Sequence, residues 1–203
     1  MATRTSNSTD HFIDTNVLLV HANNASGEFA GDIAKILSDA TGMNPSRRLW
    51  VSSVLFAELR PSSFVPGTFA TLDDLVRYIR SIATVVNPDP YTMLRAAQLR
   101  DFKWSRSPSK RAKDEKTRCM TLGDAIHLSS ALYVKEAMNV PDLEFLTFDN
   151  SADKSVETDP DTKSLPLLAL DEYTHDISSD PDVYAVVSLP RIRPMLRQST
   201  LSI

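Results

Sequence analysis

The stretch His11-Phe12-Ile13-Asp14-Thr15-Asn16 opens on a short apolar segment and stops at an acid. Val17-Leu18-Leu19-Val20 follows, so the stretch reads as a strand and then a turn or helix start over Asp14 to Asn16. The same grammar returns further on, where Leu143-Glu144-Phe145-Leu146-Thr147-Phe148 reads as a strand ending at Asp149. Leu49-Trp50-Val51 and Thr84-Val85-Val86 are two more predicted strands. Helical spacing of apolar residues fills the intervals. One helix, capped by Ser26, shows Phe29, Ile33, Ile36, Leu37 and Ala40 and ends at Gly42 and Pro45. A short one opened by Ser52 or Ser53 carries Glu58 and stops at Pro61. Others start at the capping pattern Thr71-Leu72-Asp73-Asp74, at Asp89-Pro90, and at Thr121. Thr-x-x-Asp and Asp-Pro are both helix-start signals.

Strands alternating with helices imply an α/β fold, here a three-layer α/β/α domain with a central parallel sheet and helices on both faces. Ligands of such sheets bind outside the carboxyl ends of the strands. The domain is expected over 10–176, with a basic insert loop at about 103–120, and 177–203 as a C-terminal extension or tail. Ser151 to Ser164 is predicted as polar loop, Leu167-Leu168-Ala169-Leu170 as a further strand, and Tyr184 to Val187 as an extra strand or docking segment.

The chain has 203 residues, enough to bury a real core, and its 42% hydrophobic content is ordinary for a globular protein. No apolar run approaches the roughly 20 residues that cross a bilayer. The polar start, Met1 to Asp10, lacks a signal peptide's apolar stretch. Cys119 is alone, and His11, His21, His127 and His175 show no metal-ligand spacing. The expectation is a cytoplasmic protein with no membrane partner. Net charge is −4, yet Arg100 to Arg118 holds eight cations against three acids. Such a stretch in an acidic chain suits a local phosphate-binding surface better than bulk nucleic-acid coating. Lys103, Trp104, Lys110, Arg111, Lys113 and Lys116 are its candidate RNA-binding residues, Trp104 either stacking on a base or anchoring the helix end.

Four acids stand at the edges of the apolar segments: Asp14, Glu58 in Ala57-Glu58-Leu59, Asp124 in Gly123-Asp124-Ala125, and Asp149 in Thr147-Phe148-Asp149. Carboxylates gathered at one place repel unless one is neutral or a cation sits among them. Hard oxygen ligands suit Mg2+ or Mn2+ rather than zinc or copper. Each acid also has a plainer reading: turn residue for Asp14 and Asp149, solvated helical acid for Glu58, cap for Asp124. His127, one turn beyond Asp124, reads as a packed or solvated histidine.

Taken in order, Asp14-Thr15-Asn16, Ser53 through Glu58-Leu59, Gly123-Asp124-Ala125 and Thr147-Phe148-Asp149 resemble the PIN-domain family of metal-dependent ribonucleases. That family includes the VapC-like toxins of type II toxin–antitoxin pairs. The likeness spans roughly His11 to Glu172. It implies a PIN-like fold, with Asp14, Glu58, Asp124 and Asp149 as catalytic groups binding one or two Mg2+ (or Mn2+) ions. Asn16 and Thr147 would orient carboxylates or the attacking water. The implied activity is endonucleolytic hydrolysis of RNA phosphodiester bonds, with an RNA substrate, a cognate antitoxin and a homodimer as implied partners. An inactive PIN-like RNA- or protein-binding module, a housekeeping PIN nuclease and a flap-type DNA nuclease are the alternatives. A haloacid-dehalogenase phosphatase is excluded, because Asn16 holds the place of its second aspartate. No G-x-x-x-x-G-K-[ST] or G-x-G-x-x-G motif occurs among the five glycines, which argues against nucleotide binding.

Overall fold

The computed structural model describes residues 9–23, 27–41, 47–111, 113, 115, 118–150, 155–156, 159–174 and 180–195. Its centre is a five-stranded parallel sheet in the order β3-β2-β1-β5-β8. The strands are β1 (His11–Ile13), β2 (Leu49–Ser52), β3 (Ala83–Val86), β5 (Glu144–Leu146) and β8 (Arg191–Ile192). Successive side chains of a strand point to opposite faces, and here both faces are apolar. Phe12, Trp50 and Phe145 enter one buried cluster. Their neighbours Ile13, Leu49, Val51 and Leu146 enter a second cluster on the other side. Two dry faces leave a parallel sheet no side to show to water.

Helices α1 (Thr15–Asn23), α2 (Ala30–Ser38), α3 (Leu55–Glu58) and α4 (Leu72–Ile82) supply the second cluster with Val17, Leu18, Ile33, Ile36, Leu55, Leu75 and Ile79. Helices α5 (Pro90–Asp101), α6 (Leu122–Glu136) and α7 (Pro181–Ser188) line the first with Ala96, Leu99, Ile126, Leu128, Val183 and Val186. The expected three-layer α/β/α arrangement is the one observed. Three of the predicted starts are where helices begin, while α3 starts after Val54 rather than at Ser52 or Ser53. Thr71 and Asp74 form a complete capping box, Asp89 caps α5 with Pro90 in its first turn, and Thr121 caps α6. Ser26, Gly42 and Pro45, read as the bounds of α2, lie outside the described residues.

Four expectations need correction. Leu167 to Leu170 is not a strand but part of a 3-10 helix, Leu167–Tyr173. A continuous apolar run has no period to tell the two apart. Tyr184 to Val187 lies inside α7, which starts at an Asp180 cap followed by Pro181, the signal that opens α5. The predicted loop Ser151 to Ser164 contains β6 (Ser155–Val156) and β7 (Asp159–Ser164), which with β4 (Arg118–Cys119) make a second sheet, β4-β7-β6. Its residues are polar, so no hydrophobic alternation announces it.

Nor is the described part of 177–203 a tail. β8 pairs in parallel with β5, Leu146 opposite Ile192, and α7 packs its Val183 and Val186 into the core. Arg95 of α5 reaches Asp182 at 2.8 Å and Glu136 at 3.0 Å, tying α5, α6 and α7 together. Arg191 is the other anchor. Its Nη1 donates to the carbonyls of Val186, Val187 and Leu189 at 2.8–3.1 Å, and its Nε to that of Leu167 at 2.8 Å. One buried guanidinium so closes the carboxyl end of α7 and fixes the 3-10 helix beside it. Lysine has no planar fork and cannot reach four carbonyls from one position. Arg191→Lys is expected to lower stability by roughly 2–3 kcal/mol in urea unfolding; a loss under about 0.5 kcal/mol would mean that these carbonyls find other donors.

Candidate metal centre

The order of strands turns outward in both directions from β1, to β2 on one side and β5 on the other. This is the switch point at which open α/β sheets form a crevice. Asp14 follows β1 directly, and Thr147 to Asp149 follow β5. Asp14 is 5% exposed. Its amide donates to the Leu146 carbonyl at 3.0 Å, continuing the ladder past the end of the strand. Its Oδ2 accepts from Asn16 Nδ2 and from the Thr147 hydroxyl, both at 2.7 Å. Asn16 Nδ2 also lies 3.1 Å from Thr147 Oγ1, while Asn16 Oδ1 accepts from the Phe148 amide at 3.0 Å. The Asp149 amide closes the turn on Thr147 Oγ1 at 2.9 Å. Asn16 and Thr147 are thus where the sequence places them, holding Asp14 and the start of the Asp149 loop.

Asp124 lies in the first turn of α6. Its amide donates to the Thr121 Oγ1 cap at 3.1 Å, and its Oδ2 accepts from the Thr121 hydroxyl at 2.6 Å. The contrast with Asp74 is informative. Asp74 reaches back to the Thr71 amide at 3.1 Å, whereas Asp124 forms no such closed box with Thr121. The cap reading therefore accounts for Thr121 and not for the carboxylate of Asp124.

Glu58 ends the four-residue α3 and is held by residues that spacing did not single out. Its Oε2 accepts from His127 Nε2 at 2.9 Å and from the Thr15 hydroxyl. His127 is 1% exposed and faces inward from α6. Gly123 explains part of the Gly-Asp-Ala phrase, since a Cβ there would collide with Glu58 Oε1. Of the packed and solvated readings of His127 the packed one holds, and the ring also grips Glu58.

The electrostatics follow from burial and crowding. Burial raises the Asp14 pKa above the carboxylate range, and Glu58 and Asp149 add to the rise against the opposing effects of His127 and Thr147. Burial and the charge of Asp14 push Asp124 up to about 7, in spite of its bond to Thr121. For Glu58, burial acts upward, but the bonds from His127 and Thr15 outweigh it and the net shift is downward. His127 moves upward, because Glu58 and the aspartates outweigh its own desolvation. Four acids and one histidine share a field.

Among the described residues, no three or more His, Cys, Asp and Glu side chains stand together as a ready metal cage. Mg2+ does not require one, since it commonly binds through one or two carboxylates and keeps several waters. The observation that fits a hard cation is the crowding of buried Asp14 and half-buried Asp124, two oxygen donors whose pKa values are both raised in spite of His127. Glu58 is engaged by His127 and Thr15, and Asp149 stands at a half-exposed turn.

The basic insert is closed at its base by an antiparallel bridge between Trp104 and Arg118. Trp104 is 2% exposed and donates Nε1–H to the Leu99 carbonyl at 2.9 Å. Base stacking by Trp104 is thereby corrected: the indole anchors the end of α5. Arg106 bonds Glu172 at 2.7 Å and lies over the Tyr173 ring, as does Arg118. Lys103, Lys110, Arg111 and Lys113 are exposed, and Lys116 lies outside the described residues.

No family model matches this sequence, and no curated protein matches it. Among solved structures it is similar to VapBC2 from Rickettsia felis bound to a DNA fragment from their promoter, at 12% identity and a TM-score of 0.37, covering 76% of this chain and 96% of that one. Among the described residues, no helix is long and apolar enough to cross a membrane.

The raised acids make stability pH-dependent with a definite sign. Asp14 and Asp124 bind protons more tightly folded than unfolded, so stability falls as pH rises from near 4 through about 7. His127 acts in the same direction above its unfolded value, while the lowered Glu58 acts oppositely only below about pH 4.5. Without divalent ions the melting temperature should therefore peak between about pH 4 and 4.5 and decline toward pH 8. Asp124→Asn removes one of these raised groups, and it should gain on the order of 1–2 kcal/mol over wild type at pH 8 and less at pH 5. Parallel pH–Tm curves for the two proteins would contradict the crowding of these acids.

Proposed function

We propose that this chain is a Mg2+- or Mn2+-dependent endoribonuclease of the PIN type. One observation carries the reading: Asp14, buried, and Asp124, half-buried, come from distant parts of the chain to the switch point of a parallel sheet with raised pKa values, and the charges of Glu58 and Asp149 bear on Asp14. Structural carboxylates are normally paired with cations or left in water. A pair kept in mutual repulsion suits a site whose charge is completed by a bound cation.

Asp14 and Asp124 would hold the metal, and Asp149 and Glu58 would complete its surroundings directly or through water. A bound divalent ion would supply a water of lowered pKa and charge neutralisation at the leaving oxygen. The chain's own groups do the positioning. Asn16 and Thr147 fix the Asp14 carboxylate through Oδ2. Thr121 turns Asp124, and His127 with Thr15 keeps Glu58 from swinging into solvent. The exposed Lys103, Lys110, Arg111 and Lys113 would attract the polyanion that an acidic edge repels.

A place in a toxin–antitoxin pair is the finer proposal, with an inactive binding module and a housekeeping nuclease as competing roles. A neighbouring reading frame encoding a DNA-binding head and a polar, Arg-containing tail would support the toxin role. Retention of all four acids favours a working nuclease over a binding module.

Asp14→Asn and Asp124→Asn should each lower Mg2+-dependent RNA cleavage by about a hundredfold or more while the fold is kept, because each keeps size and removes a charged ligand. Mg2+ at pH 8 should raise the melting temperature of wild type and much less that of either variant. Full cleavage by both pure variants would sink the assignment.

Replacing Lys110, Arg111, Lys113 and Lys116 by Ser should weaken RNA binding evenly across sequences. The log–log salt slope should flatten by about 0.7 per lost phosphate contact. Cleavage at saturating RNA should change far less. An unchanged slope would reduce the insert to a solvated connector.

A further inference from the structure

Beside the acidic edge lies a cleft of about 450 Å3 lined by Asn150, Leu168, Arg191, Ile192, Arg193 and Met195. Such a volume falls within the roughly 300–1,000 Å3 of small-ligand sites. It adjoins the acids directly. Asn150 follows Asp149, and the Leu168 amide donates to the Asp149 carbonyl at 3.0 Å. The register of the sheet makes the relation definite. Ile13 pairs with Leu146, and Leu146 with Ile192. Asp14, Thr147 and Arg193 are the next residues of three adjacent strands, one step past the paired level. Two strand spacings, roughly 10 Å, therefore take the chain from Asp14 to Arg193 along one edge.

The walls differ in chemistry. Leu168, Ile192 and Met195 are apolar, with Met195 55% exposed. Arg191 is consumed by the carbonyls around α7. Arg193 is exposed at the rim, and no ion pair involving it is found among the described residues. An apolar slot with one cation at its lip, set beside a phosphodiester-cutting edge, matches a nucleotide: base against the apolar wall, phosphate against the guanidinium. RNA proteins take up unstacked bases of single strands in this way.

We infer that this cleft seats the nucleotide flanking the scissile phosphate of a single-stranded RNA, with Arg193 holding the next phosphate and Leu168 and Met195 flanking the base. The inference rests on the ribonuclease reading and deepens it. The cleft lies on the β8 side of the acids, so it uses the part of the chain after residue 180 for substrate. Arg193 contributes binding and no chemistry.

The test uses the full chain and a short labelled single-stranded RNA, with binding measured in EDTA and cleavage in Mg2+. Arg193→Ala should raise Kd and KM about fivefold and lower the salt slope by about 0.7, with kcat within about twofold. Leu168→Ala strips the apolar wall and should raise Kd by roughly fivefold at an unchanged salt slope. Circular-dichroism melts confirm that both variants fold. Thiouridine placed beside the cleavage position should crosslink in wild type to the peptide containing Leu168 or Met195. If wild type cuts RNA and both variants bind it as tightly as wild type, or if crosslinks fall only elsewhere, this inference is overturned and the ribonuclease reading stands. If wild type neither binds nor cuts RNA, both fail; loss of a protein partner's binding in the cleft variants would then identify the cleft as a peptide groove.

Discussion

Like charges confined to one edge of the sheet set the terms for everything around them. Asp14 is buried at the end of β1, and Asp124 and Asp149 lie close enough for their charges to be felt. In water such a group would spread apart. Here the main chain forbids it, because Asp14 is bonded through its amide to β5 and through its carboxylate to Asn16 and Thr147. The repulsion is met instead by donors on one oxygen of Asp14 and of Asp124 and by a histidine behind Glu58. Neutral donors orient a charge without cancelling it. A proton or a cation must supply the remainder.

That edge is only as firm as the sheet behind it. Both faces of the sheet are dry, and each fully buried aliphatic side chain adds roughly 1.5–3 kcal/mol. Alternation within strands three or four residues long divides one backbone between two cores, Phe12 to one and Ile13 to the other. A one-residue slip of β1 would exchange the two cores and carry Asp14 off the switch point. Packing precision and placement of the acid are one constraint.

What sequence made legible was local. Caps at Thr71, Asp89 and Thr121 rest on contacts three residues long, and the strand-ending acids sit beside their own apolar segments. What it hid was either too short to show a pattern or too distant to pair by eye. β8 has two residues, and β6 and β7 are polar strands held by backbone bonds. Glu58 meets His127 across 69 positions and Thr15 across 43, so no spacing rule reveals that grip. At Trp104 the sequence leaves base stacking and helix anchoring open, and the Leu99 carbonyl, which takes the indole N–H from inside, decides for the anchor. The cap of α7 was readable at Asp180-Pro181, but the β-branched valines after it pointed to a strand.

The strand order has a consequence for how the chain is made. Of the described strands β1 is synthesised before the others, and it ends in the middle of the sheet, between β2 and β5. The β1-β2-β3 half closes early through neighbours in sequence. One side of β1 then waits for β5, more than a hundred residues later, and β5 in turn for β8. During that wait an unpaired strand edge is open to wrong partners. The acids are also incomplete: Asp124 and Asp149 arrive after Asp14 and Glu58. A nascent chain therefore holds two separated acids until its second half has been synthesised, and the crowded edge forms only as the sheet closes.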